Sequence, residues 1–328
     1  MPELPEVQTV VTSLRPKLIG RTISQVTVAR QDILQPPEID FSAMVNGRTI
    51  QSIDRRGKRI IFTLDNGNRF FVHLGMTGRL MMAAPDEPIE KHTHVIWNFK
   101  SQISNLKSQI PNLKSRAQLR FRDPRRFGGI WWLGTADCDN DIGPEPLTTR
   151  SRQLAQRLAR TTRAIKNALL DQQVLAGLGN IYVDESLFAA RIHPLTPANE
   201  LTTEQVASLN RAIKAILRRA IRHRGSTFRD YRDAEGKAGG FQLLHRVYDR
   251  EGKLCRVCKT PIKRIVLGGR STHFCPNCQR EPLMQLNSKL EIRNETNSKL
   301  KKRTEEENGV RRNRRLGCPR PQFPLCPF

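Results

Sequence analysis

The first residues of the chain have the types and spacing to do chemistry. Behind Met1 stand Pro2, Glu3 and Glu6, in the run MPELPE. Removal of Met1 leaves Pro2 as the terminus, with a secondary amine and two carboxylates close behind it. An α-amino group titrates near ~8, against ~10.4 for lysine, so a useful fraction is unprotonated and nucleophilic at neutral pH. Attack of such an amine on a sugar carbon collapses to an iminium, an electron sink that promotes eliminations further along the sugar. A second constellation lies far downstream, where Cys255 and Cys258 form one C-x2-C pair and Cys275 and Cys278 another. The segment between them has the length of a β-hairpin, and two such knuckles supply four thiolates in the tetrahedral arrangement of a structural Zn²⁺ site. A site closed by four cysteines has no open coordination position, so its role is architectural.

These residues must be positioned by the elements around them. Val7, Val10, Val11, Leu14 and Leu18 recur at helical spacing and Gly20 follows as a stop, so a buried helix holds the terminus in place. From residue 21 to about 133 the pattern becomes short β-branched and aromatic runs at 23–28, 60–64, 69–73, 95–99, 119–121 and 130–133. Turn signals at Asn46-Gly47, Arg56-Gly57 and Asp65-Asn66-Gly67 punctuate them, which predicts a β-sandwich or barrel-like domain. Within it, SQISNLK at 101–107 and SQIPNLK at 108–114 form a near-perfect tandem repeat, expected to be a disordered insertion at a hairpin tip.

The second half reads as helical. Thr202 opens a capping box with Gln205, and Val206, Leu209, Ile213, Ile216 and Ala220 form one apolar stripe. Upstream, residues 165–175 and 181–190 read as two helices separated by Ala176-Gly177-Leu178-Gly179-Asn180. Such a glycine-bracketed turn either lets a phosphate approach the amides at the second helix's N-terminus or simply joins an ordinary helical hairpin, and the spacing favours neither. Beyond residue 280 large apolar side chains are scarce, so 281–328 is expected to be a disordered basic extension.

The chain of 328 residues carries 56 Lys+Arg against 31 Asp+Glu, a net charge of +25, which points to a polyanionic partner, nucleic acid first. The extension accounts for only +5 of that charge. No apolar run approaches a membrane span, and the polar N-terminus lacks a signal peptide's apolar core, so the expected location is the cytoplasm.

Taken in order, PELPE at 2–6, RRGK at 55–58, HLGMTG at 73–78, DPRRFG at 123–128, GPEPL at 143–147, GLGNIYVDESLF at 177–188 and the finger ending HFCPNCQR at 273–280 resemble the bacterial formamidopyrimidine-DNA glycosylases. The resemblance covers roughly residues 2–280. It implies an α+β multidomain fold: an N-terminal catalytic β-sandwich domain with flanking helices over 1–145, a helix-two-turn-helix DNA-binding domain over 146–243, and a four-cysteine zinc finger over 244–280. The implied activity is excision of oxidised purines from damaged double-stranded DNA followed by strand cleavage at the abasic site, by a monomer holding one structural Zn²⁺. By this resemblance Pro2 attacks C1′, Glu3 is the general acid, Glu6 orients groups in the pocket, Lys58 contacts base or phosphate and donates a proton in β-elimination, and Arg270 grips phosphates and assists δ-elimination. Met76, Arg125 and Phe127 match the residues that fill the hole left by an extruded nucleotide. His73, His92, Asn180 and Lys166 match phosphate-contacting positions. Residues 226–242 correspond to the loop that covers the flipped base, with Ala238 where the family more often has proline. Two alternatives are an endonuclease VIII-type enzyme for oxidised pyrimidines, against which Leu4, Arg125 and Phe127 argue, and a noncatalytic DNA-binding protein.

Overall fold

The computed structural model describes residues 2–100, 117–136, 141–227 and 231–281. The tandem repeat and the extension from 282 onward lie outside the described residues. Everything below concerns the compact unit Met1–Arg280.

The chain opens on helix α1 (Leu4–Leu18), with Pro5 in its first turn, where a missing N–H costs nothing. The Glu3 amide donates to Glu6 Oε2 at 2.8 Å, closing the helix start, and Gly20 at φ +80° ends it. The five apolar residues expected on one face are buried to 1% exposure or less. Each contributes roughly 1.5–3 kcal/mol on burial, which offsets the entropy of ordering a terminus.

That face packs on a two-sheet sandwich. One sheet, in the order β1-β7-β8-β6, is antiparallel and comprises β1 (Ile23–Val28), β6 (Arg79–Ala83), β7 (Thr93–Phe99) and β8 (Gln118–Arg122). The other runs β2-β9-β5-β4-β3 through β2 (Leu34–Gln35), β3 (Ile50–Arg56), β4 (Arg59–Leu64), β5 (Arg69–His73) and β9 (Gly129–Gly134), with only β2 and β9 parallel. Inward side chains of both sheets, of α1 and of the short helix α2 (Phe41–Val45) share one core, in which Phe70 stacks on Phe62 at 4.8 Å and on Trp97 of the opposite sheet at 6.4 Å. All six expected strand runs form. β2, β3 and β6 are additional: LQ, IQSIDRR and RLMMA have few β-branched residues, and their place comes from pairing with β9, β4 and β8.

The second half is helical, with α3 (Ser151–Leu158), α4 (Ile165–Leu170), α5 (Asn180–Ala190) and α6 (Thr203–Arg222), as the composition implied. The capping box is present, Thr202 Oγ1 accepting from the Gln205 amide and Gln205 Oε1 from the Thr202 amide. The helix expected over 165–175 stops at Leu170. Asp171 accepts the Gln173 amide through its side chain, and Gln172 donates to the Leu170 and Leu178 carbonyls while accepting from Gly177, so local side-chain bonds replace the next helical turn. A final hairpin joins β10 (Lys263–Leu267) to β11 (Arg270–Phe274) through Gly268 and Gly269. Both have positive φ, as a two-residue I′ turn demands.

Candidate active site and nucleic-acid interface

Pro2 is buried, and the residue after it is locked into the second half of the chain. Glu3, 3% exposed, receives the Ile181 amide on Oε1 at 3.0 Å and the Tyr182 amide on Oε2 at 3.5 Å. The carboxylate therefore occupies the N-terminus of α5, where unpaired amides and the helix dipole favour negative charge. Gly179 makes this possible, since a Cβ there would lie 2.3 Å from Glu3 Cδ. The reading of this turn as a phosphate cradle is corrected accordingly: the amides of Ile181 and Tyr182 are taken by a carboxylate from the chain itself. Burial raises the Glu3 pKa, opposed by the Lys58 charge and the Ile181 amide. A carboxyl group in this setting holds its proton more readily than one in water.

Glu6 lies deeper. Its Oε1 accepts the Tyr182 hydroxyl at 2.5 Å and the Ser226 amide at 2.7 Å. Ser226 Oγ in turn meets His245 Nε2 at 3.1 Å. Burial first, and the neighbouring Glu3 charge second, push the Glu6 pKa up to about 7. The network ties α1 to the start of the loop at 226–242. The described part of that loop folds back on the sandwich: Tyr231 donates to the Glu6 carbonyl, Met82 of β6 donates its amide to the Ala234 carbonyl, and Glu235 pairs with Lys17 of α1 at 2.9 Å.

Lys58 follows Gly57 in the two-residue turn between β3 and β4, where Gly57 takes φ +56°. Among Arg55, Arg56 and Arg59 a solvated charge would be ordinary, yet Lys58 is only 9% exposed. Burial lowers its pKa, and the Glu3 charge opposes that shift while Arg270 adds to it. Crowding by cations is relieved by Glu145 of the GPEPL run, which accepts from Arg55 at 2.6 and 3.0 Å, from Arg56 at 3.3 Å and from the Gly57 amide at 2.5 Å. One carboxylate thus fixes the whole turn that presents Lys58.

The expected void-filling residues lie on two loops pressed together, 74–78 and 123–128. A Cβ on Gly75 would lie 2.4 Å from the Gly128 amide nitrogen, so only glycine allows the contact. Asp123, fully buried, holds both loops, accepting from Thr77 at 2.5 Å and from the amides of Arg125 and Gly128 at 3.3 and 2.8 Å. Met76 and Phe127 are 39% and 55% exposed, and the Arg125 guanidinium sits 4.7 Å over the Phe127 ring. Large apolar side chains held out from a rigid base suit insertion into a stack of bases. Nearby, His73 Nδ1 accepts the Gly75 amide at 3.1 Å, which leaves Nε2 to carry the proton. Burial and the charges of Lys58 and Arg59 lower its pKa to about 4, so at neutral pH it is an uncharged donor. His92 is exposed at φ +71°.

The remaining expected contacts gather at α4, α5 and the final hairpin. Arg270 is exposed at the start of β11. Asn180 donates to the Ser271 carbonyl at 2.9 Å. Lys166 departs from expectation: its side chain has no exposure, and its Nζ donates to Asp184 Oδ1 at 2.6 Å and the Ser271 carbonyl at 2.8 Å. Sealed by a partner carboxylate, it does not present its charge to a phosphate. The four cysteines of the two knuckles are free thiols whose Sγ atoms all lie within 4.8 Å of one another.

Residues 1–130 match the formamidopyrimidine-DNA glycosylase N-terminal domain, 142–232 the H2TH domain of the same glycosylases, and 252–280 the zinc finger found in FPG and IleRS. The formamidopyrimidine-DNA glycosylase of Herpetosiphon aurantiacus is 44% identical over 291 residues, covering 85% of this chain and 100% of that protein. The chain belongs to the formamidopyrimidine-DNA glycosylase family. The family enzyme of Chloroflexus aggregans is 44% identical over 287 residues, covering 85% of this chain and 98% of its own. Among solved structures, a Lactococcus lactis FPG mutant in complex with a Fapy-dG containing DNA superposes with a TM-score of 0.76 at 34% identity, covering 85% of this chain and all of that one. MutM in complex with carbocyclic 8-oxo-G containing DNA gives 0.76 at 35%, with the same coverage.

The family's zinc finger fits the thiol cluster. Sγ pairs at 3.3, 3.4 and 4.0 Å bracket the ~3.8 Å edge of a tetrahedron with Zn–S near 2.3 Å, and the Val257 and Cys278 amides point at Cys255 and Cys275 Sγ. Cys255, Cys258, Cys275 and Cys278 would hold a structural Zn²⁺ that cross-links the two knuckles. Four site residues escaped the sequence reading: Asp123, Glu145, Tyr182 and Asp184. Each sits inside a motif that was recognised, but its partner lies in another element, so no spacing rule marks it.

Proposed function

We propose that this protein excises oxidised purines, 8-oxoguanine and formamidopyrimidines, from duplex DNA and then cleaves the strand at the resulting abasic site. The observation that carries the reading is the pocket at the chain start: Pro2 buried beside a Glu3 carboxyl that is docked on α5 and charge-coupled to Lys58. Its working parts are the sandwich domain over 1–145, the helical domain over 146–243 and the finger over 244–280. With Met1 removed, the Pro2 amine attacks C1′ as the bond to the base breaks. Glu3 protonates the ring oxygen, the sugar opens and the nitrogen is left as an iminium. Loss of a C2′ proton then expels the 3′-phosphate, and a second elimination releases the 5′-phosphate. The lowered Lys58 pKa makes its ammonium a readier proton donor in the first elimination, and Arg270 steadies the phosphates. Met76, Arg125 and Phe127 fill the gap left by the extruded nucleotide, while His73, His92 and Asn180 contact backbone. Glu6 orders the pocket through Tyr182 and Ser226.

No helix among the described residues is long and apolar enough to cross a membrane, which accords with an enzyme that works on DNA in the cytoplasm. Borohydride trapping on a duplex with one 8-oxoguanine opposite cytosine tests the reading, with Pro2→Gly and an oxidised-pyrimidine duplex run in parallel. The expected result is a covalent adduct mapping to residue 2 and lost in Pro2→Gly. No adduct from a protein with Met1 removed overturns the lyase step, and preferential trapping on the pyrimidine duplex moves the assignment to the endonuclease VIII type.

A further inference from the structure

Arg270 follows a turn of two glycines, Gly268 and Gly269, a stretch with little stiffness of its own. What steadies it comes from the helical domain. The carbonyl of Ser271, the next residue, accepts from Lys166 Nζ at 2.8 Å and from Asn180 Nδ2 at 2.9 Å. Asp184 bridges the two sides: Oδ1 takes Lys166 Nζ at 2.6 Å, and Oδ2 takes the His273 amide at 2.8 Å, with the His273 ring at 3.4 Å. Lys166 and Asp184 are each at most 1% exposed. On the opposite side Gly268 abuts Asn167 of α4, whose Oδ1 would be 3.0 Å from a Cβ there. The hairpin is thus held at Gly268, Ser271 and His273, on both sides of the exposed Arg270.

The finger's base has a separate anchor. Glu185 accepts the amides of Arg246, Val247 and Tyr248, each at 2.9 Å. Adjacent residues of α5 therefore divide the work, Glu185 holding the entry to the finger and Asp184 the strand that carries Arg270. The same helix receives Glu3 at its N-terminus.

We propose that the buried Lys166–Asp184 pair is a positioning device for Arg270, setting the guanidinium at a fixed distance from the Glu3 and Lys58 pocket. The pair works by binding the backbone one and three residues beyond Arg270, and it touches no DNA itself. The proposal rests on the reading of Arg270 as the residue that grips phosphate and assists the second elimination.

The test compares Asp184→Ala, Arg270→Ala and their combination in the full-length, zinc-loaded protein on a duplex with one abasic site, scoring the ratio of β,δ- to β-elimination products alongside borohydride trapping. Asp184→Ala is expected to lower that ratio as Arg270→Ala does, by on the order of tenfold to hundredfold for a misplacement near 1 Å. Trapping should be unchanged, and Asp184→Ala should add nothing in the Arg270→Ala background. An unchanged ratio, a ratio and trapping yield that fall together, or additive losses would overturn the proposal. Should Asp184→Ala fail to fold, the double change Lys166→Met with Asp184→Leu removes both charges and keeps the side chains near their length and branching, and the same outcomes apply. A parent that makes no elimination products refutes the lyase reading separately. The pair is then judged on the salt dependence of binding to undamaged duplex, where losing one phosphate contact lowers the log–log slope by about one. Equal slopes for the parent and Asp184→Ala, with a reduced slope for Arg270→Ala, would overturn it.

Discussion

Gly179→Ala tests whether the docking of Glu3 on α5 matters for base excision. Gly179 has φ −140° and ψ −164°, an extended conformation open to alanine, so the backbone accepts the change. At a helix N-cap, where glycine is preferred to alanine, the exchange costs on the order of 1 kcal/mol, too little to unfold the domain. The new Cβ, however, would stand 2.3 Å from Glu3 Cδ, 2.6 Å from Oε1 and 2.7 Å from Cγ. Ordinary contact needs about 3.5–4 Å, so the carboxyl must retreat by roughly 1 Å or more. The bond from the Ile181 amide, 3.0 Å in the parent, cannot survive that displacement. A hydrogen bond to a charged group is worth about 1.5–3 kcal/mol, and a reacting group misplaced by about 1 Å costs on the order of 10²-fold in rate. Single-turnover excision of 8-oxoguanine by Gly179→Ala is therefore expected to slow by about that factor, while duplex affinity, which depends on residues elsewhere, stays near the parent's. Excision as fast as the parent's would refute the assignment of Glu3, at this position, to the chemistry.

Other expectations follow from the same geometry. Because the folded-state pKa of Glu6 is raised to about 7 from 4.5, the folded protein binds the extra proton, so stability is fully present below pH 4.5 and declines as pH rises toward 7. Urea titrations at pH 5 and 7.5 should differ by about 2.4 kcal/mol from this group, and Glu6→Gln should flatten that difference. Chelation of zinc should weaken DNA binding and leave the sandwich folded; tryptophan fluorescence reads this directly, since Trp97, Trp131 and Trp132 all lie on β7 and β9. Phe127→Ala, at a side chain 55% exposed, should shift stability by no more than about 0.5 kcal/mol yet sharply slow excision from duplex DNA.

Much of the fold was legible from local signals. The period of Val7, Val10, Val11, Leu14 and Leu18 marks α1, the Thr202–Gln205 box marks the start of α6, and the β-branched runs mark the strands of the sandwich. The knuckle spacing marks the thiol cluster before any coordinate is known. What stayed hidden depends on partners far apart in sequence. The amides at 181 and 182 read as a phosphate cradle because nothing local says that Glu3, 178 residues earlier, fills them. Lys166 read as a phosphate ligand for the same reason: its neutralising partner Asp184 lies 18 residues on, across a turn and on a different helix. The helix beyond Leu170 looked continuous because apolar spacing persists, while Asp171 and Gln172 end it through side-chain bonds that a periodicity count does not see.

The reach of Glu3 and Glu6 also sets when the site comes into being. Their partners are separated from them by 178 and 220 residues, respectively. At a synthesis rate of about 5–20 residues per second, roughly ten to forty seconds pass between the appearance of Pro2 and that of the helix that orders Glu3. During that interval Glu3 and Glu6 lack the partners that order them, and no duplex-gripping domain stands behind the terminus. Chemistry is thereby withheld from the nascent chain and becomes possible only when the segment that recognises DNA has been made.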